Sequence, residues 1–144
     1  MIYLRKYNES KSLFIKIKRD DWLNRYDMTV SFEKKYISEL ETIMNNKENT
    51  YPYSDPWDNG GVFMLNKYTG GYSKSMNEFT ILPNAGIGNT IFIIKQCEDD
   101  WFIIHAENSG NDVPAPGAMA LGFWKCDTWD GVKEFLRLNT RLRL

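Results

Sequence analysis

A single imidazole bounds the reaction chemistry open to this chain. His105 is the only histidine among 144 residues, so any Ser-His-Asp, Cys-His or multi-histidine metal scheme must pass through it. It lies just beyond the β-favouring run Trp101-Phe102-Ile103-Ile104, and an earlier run, Ile91-Phe92-Ile93-Ile94, precedes the acidic tip Glu98-Asp99-Asp100. The two runs predict a β-hairpin over residues 90–106. With three residues in its turn, Cys97 pairs with Trp101 and His105 falls opposite Ile93. That separates thiol from imidazole along the ladder and argues against a Cys-His dyad. The plainer expectation is a strand histidine hydrogen-bonded in or beside the core.

The remaining polar candidates are no stronger. Cys97 and Cys126 each sit in an apolar strand-like run, where free cysteine behaves as a small buried hydrophobe. A zinc site would need both of them, His105 and a carboxylate brought together by folding. Gly86-Ile87-Gly88 resembles the start of a dinucleotide fingerprint, but the strand-to-helix unit that fingerprint requires does not follow. Glu98, Asp99 and Asp100 could bind a cation or face a partner, but a solvated turn is the ordinary explanation and the one expected. No catalytic residue, metal ligand or cofactor is therefore assigned.

The most suggestive feature is aromatic. Tyr51, Tyr53 and Trp57 fall in a stretch with Pro52, Pro56, Gly60 and Gly61, read as a long loop or a pair of turns over residues 46–61. Tyr68 and Tyr72 flank Thr69-Gly70-Gly71, read as part of a turn over residues 69–75. Tyr and Trp offer large contact area at small entropic cost, and Asp55 and Asp58 would supply a polar rim, so these residues form a candidate partner-binding surface. The alternative is that the rings fold back as a lid over the core. Lys67 and Lys74 are the nearby cations, too few for an evident groove that stacks bases.

Positioning these residues calls for an α+β fold. Residues 12–18 alternate apolar and polar as a half-buried strand does. Over residues 31–45, Phe32, Tyr36, Ile37, Leu40, Ile43 and Met44 recur at helical spacing, with Ser31 able to cap. Residues 62–68, 78–82 and 118–126 read as strands, and residues 128–138 as a closing helix with Trp129, Val132, Phe135 and Leu136 on one stripe. Segregated elements of this kind predict an antiparallel sheet of five to six strands with two helices packed on it. The hairpin belongs at its centre, because both faces of each run are apolar.

The chain is long enough for one domain with its own core, and its 42% hydrophobic content argues against disorder. Eighteen basic and 19 acidic residues give a net charge of −1, which disfavours non-specific nucleic-acid binding and global mimicry of DNA. No stretch reads as a membrane span or secretory signal, so an intracellular protein without a membrane partner is expected.

The first ten residues, Met1-Ile2-Tyr3-Leu4-Arg5-Lys6-Tyr7-Asn8-Glu9-Ser10, resemble the short N-terminal leader of many proteins of large tailed bacteriophages. In T4-like phages such leaders resemble capsid-targeting sequences removed after a glutamate, which places a processing site at Glu9 and a single α+β domain over residues 11–144. Tyr7 departs from the Leu or Ile of that pattern. Asp99-Asp100-Trp101-Phe102-Ile103-Ile104, Phe123-Trp124-Lys125-Cys126-Asp127 and Gly131-Val132 resemble a pattern in uncharacterised phage proteins. The resemblance implies a non-enzymatic phage accessory protein, in the host cytoplasm or packaged in the virion. Its partner would be a bacterial host protein, such as a defence or nucleic-acid-processing enzyme, which it inhibits or redirects. Two other expectations stand beside it: a small hydrolase or nucleotide-processing enzyme using Asp55, Asp58 or Asp112 with His105, and a homodimer built on the second face of the sheet.

Overall fold

The computed structural model describes residues 13–46, 50–54, 63–83, 90–108, 120–140 and 142–144; at 50–54, 63–69, 83, 108 and 120 it describes the backbone alone. Among the described residues, seven strands and three helices follow in the order β1 (Phe14–Ile17), α1 (Arg19–Tyr26), α2 (Lys34–Asn45), β2 (Thr50–Ser54), β3 (Phe63–Ser73), β4 (Glu78–Pro83), β5 (Thr90–Gln96), β6 (Phe102–Asn108), β7 (Ala120–Cys126) and α3 (Trp129–Asn139). Six strands form one antiparallel sheet in the order β1-β7-β6-β5-β4-β3. β2 is added beyond β3, paired with its first half, Phe63 to Lys67, whereas β4 pairs with its second half, Tyr68 to Ser73. The fold is α+β, with the expected hairpin at the centre of the sheet.

That hairpin has the register its sequence implies: Ile93 faces His105, Gln96 faces Phe102, and the Cys97 amide donates to the Trp101 carbonyl at 2.6 Å. Asp99 and Asp100 take the left-handed conformation, φ 61° and 59°, which short polar side chains tolerate best among non-glycines.

The two faces of the sheet bury different things. On the first, α2 and α3 cover Phe79, Ile81, Phe92, Ile94, Phe102, Ile104 and Cys126, with Leu40, Met44, Val132, Phe135 and Leu136 supplied by the helices. Thr128 caps α3 by accepting from the Gly131 amide at 3.2 Å. The indole N–H of Trp129 reaches Glu39 Oε2 at 2.7 Å while its ring stacks on Tyr36, which fixes α3 against α2. α2 begins at Lys34 rather than at residue 31, and Ser31 does not cap it. Its start is held from the sheet instead: the Glu33 amide donates to Gln96 Oε1 at 2.8 Å, and Gln96 Nε2 donates to Glu33 Oε1 at 3.0 Å.

The second face carries α1, a third helix absent from the sequence expectation. Trp22 is its deep anchor, packed with Cys97, Ile103 and Phe123.

Two glycines set close approaches. Gly70 (φ 125°) lets β3 run on through residues expected to turn, and a Cβ there would lie 2.0 Å from the Thr80 carbonyl oxygen. The real turn follows Ser73. At Gly131 a Cβ would meet the Leu13 carbonyl oxygen at 2.2 Å. Gly131→Ala is therefore expected to push α3 off the start of β1 and cost about 1–3 kcal/mol, as overpacking does. Urea unfolding of the variant checks this, and an unchanged midpoint with unchanged slope would contradict the close packing.

Candidate functional site

Tyr51 and Tyr53 lie in β2, a strand, which corrects the reading of residues 46–61 as loop throughout. The physical reason is Pro52. Proline breaks a central strand, but in an edge strand its missing N–H costs nothing when that side has no neighbour. β2 pairs only with β3 among the described residues.

Register then relates the tyrosines. Tyr51 stands opposite Asn66 and Tyr53 opposite Met64, and strand alternation carries that parity along β3 through Tyr68 to Tyr72. Tyr72 in turn pairs with Phe79. Four tyrosines from two strands thus occupy register positions of one sheet face. Tyr72 folds back onto the core, as the lid reading expects: its ring packs against Phe32, at 6.1 Å between centroids, and its hydroxyl donates to Asn77 Oδ1 at 3.0 Å. Asp55, Trp57 and Asp58 of the same candidate surface, the processing site at Glu9, and Asp112 fall outside the described residues.

His105 is buried, at 4% exposure, as the plain reading of a strand histidine required. It is not alone. Glu107, two residues on and so on the same face, places Oε1 3.1 Å from His105 Nε2. Lys95 of β5, 3% exposed, has Nζ 3.9 Å from Glu78 Oε2 of β4, donates to the Met76 carbonyl, and lies 4.8 Å from the centroid of the Tyr26 ring of α1. A β-bulge between Ala106 and Glu107 alters the β6–β7 register beside this group; bulges of this kind re-aim side chains.

The electrostatics follow from burial. Desolvation pushes the Lys95 ammonium towards lower pKa and the Glu78 carboxyl towards higher, while each pulls the other back towards its charged form. The His105 imidazole is held below its ordinary value by burial, with Glu107 opposing. Trp22 meets the His105 ring edge-on at 4.9 Å and the Phe123 ring at 5.1 Å. Its indole N–H is buried without a hydrogen-bond partner, a defect that costs about 1–3 kcal/mol.

His105 stands out in the sequence as the sole histidine, whereas Glu78, Lys95 and Glu107 become its neighbours only in the folded sheet. A signal for two of them exists: Lys95 interrupts an apolar strand, and Glu107 shares His105's parity. Both cysteines are buried, and desolvation raises the Cys97 thiol to about 11 and the Cys126 thiol to about 12. Neither is a ready nucleophile. Among the described residues, no three His, Cys, Asp or Glu side chains are grouped to hold a metal ion, and no helix is long and apolar enough to cross a membrane.

No family model, no curated protein and no solved structure matches the chain.

Proposed function

We propose that the protein acts by binding another protein along its β2 edge, and that it is a phage accessory protein whose partner is a bacterial host protein that it inhibits or redirects in the host cytoplasm. The observation that supports the binding mode is the shared register phase of Tyr51, Tyr53, Tyr68 and Tyr72 on the edge strand and its neighbour. An edge strand offers unpaired backbone groups to an incoming chain, and tyrosines at alternate positions supply anchoring area beside it. The host assignment rests on the leader-like first ten residues.

The test is affinity capture from bacterial lysate with the wild-type protein and with the double variant Tyr51→Ala/Tyr53→Ala. One host protein retained by the wild type and reduced at least about tenfold by the variant is expected, since two anchors of the hot-spot kind carry well over 1.4 kcal/mol. Equal retention by both proteins would sink the proposal.

A further inference from the structure

We propose that α1 is a proton-operated latch: it stays docked while His105 is neutral, and protonation of His105 releases it and uncovers Cys97, Ile103 and Phe123. This inference is independent of the β2 edge.

The geometry has three parts. First, α1 is short, and its backbone ties to the sheet lie just past its C-terminal end, where the Val30 amide donates to the Gln96 carbonyl at 2.9 Å and the Glu98 amide to the Met28 carbonyl at 3.1 Å. It spans eight residues, its N-cap Lys18 makes no side-chain capping bond, and Trp22 is its buried anchor. Second, that anchor is seated on the titratable group itself, edge-on to the His105 ring at 4.9 Å, with its own N–H unsatisfied. Third, the surroundings of His105 already hold charge. Glu107 on β6 touches it; Lys95 on β5 and Glu78 on β4 lie on the same face; Lys125 on β7 is two residues from Phe123, its register partner; and α1 brings the Tyr26 phenol and Arg25, which lies over the Trp101 ring with Lys125. β1 adds the apolar Ile17.

A second cation formed under Trp22, on the face that already buries Lys95, meets Glu107 at one ring nitrogen and gains solvation when α1 lifts. Burial holds the folded imidazole below its ordinary value of 6.5, with Lys95 adding to that effect and Glu107 opposing it. The released state therefore binds the proton better, and docking is full above pH 6.5 and weakens as pH falls below it. Glu78 titrates in the opposite sense, because its raised carboxyl favours the folded form as pH falls. The His105 contribution must accordingly be isolated by substitution.

Cys97 supplies the readout. It sits under α1, with its Sγ 3.6 Å from the Arg25 carbonyl oxygen, while Cys126 is buried on the other face and serves as the internal control. The full chain is treated with methyl methanethiosulfonate at a series of pH values, and modification at each cysteine is read by mass spectrometry. The ratio of Cys97 to Cys126 modification is expected to rise below pH 6.5 by up to about tenfold per pH unit, the limit for one coupled proton. His105→Gln keeps a donor for Glu107 without titrating and should flatten the profile. Glu107→Gln removes the opposing carboxylate, lowers the docked-state imidazole further and should extend the rise to lower pH. A flat wild-type ratio, or a rise that persists unchanged in either variant, would overturn the latch.

Discussion

Replacing Phe135 by alanine is expected to destabilise the protein by about 3–5 kcal/mol, the range for removing a large aromatic from a packed core. Phe135 of α3 meets aromatic rings from three strands of the first face. Its ring lies 5.3 Å from Phe14 of edge strand β1, 5.5 Å from Phe92 of central strand β5 and 4.9 Å from Trp124 of β7. Two of these contacts are edge-to-face, the arrangement that adds to plain area burial. The loss should appear in chemical denaturation as a lower midpoint with little change in slope. A loss below about 1 kcal/mol would mean that α3 does not pack on the sheet as described.

Lys95→Met is expected to cost about as much, roughly 3–5 kcal/mol, for a different reason. The methylene stem is replaced almost isosterically, so little packing is lost. What remains is the Glu78 carboxylate, largely buried and without the ammonium 3.9 Å away, and a Met76 carbonyl without its donor. The double variant Glu78→Gln/Lys95→Met should recover part of that loss, because a neutral amide needs no counter-charge. If the double variant is no better than the single, the pair is not coupled.

These predictions fall on features that the sequence revealed unevenly. The central hairpin was readable because its register follows from two β-rich runs and a three-residue tip, all local. α3 was equally plain, since Thr128, Asp130 and the stripe from Trp129 to Leu136 agree at every level. α1 was not. Arg19-Asp20-Asp21-Trp22 carries no helical periodicity, and the helix exists because Trp22 finds a pocket made by β6 and β7. β2 and the continuation of β3 were hidden by Pro52 and by Gly70-Gly71, which usually end strands; here Pro52 lies at an edge and Gly70 permits close approach to Thr80.

The candidate sites divide in the same way. Tyr51, Tyr53, Tyr68 and Tyr72 were singled out by type, but their common phase needed strand pairing that no local pattern encodes. The cluster of Glu78, Lys95, His105 and Glu107 comes from three strands. Sequence separation hides it, and only the finished sheet makes neighbours of these residues.

Hydrogen exchange on the protein alone and saturated with its captured partner tests the binding claim most directly, because it reads the backbone of β2 itself. Amides of Thr50–Ser54 are expected to gain protection in the complex while those of α1 stay unchanged at neutral pH. Protection gained over α1, with Thr50–Ser54 exchanging as in the free protein, would contradict that claim.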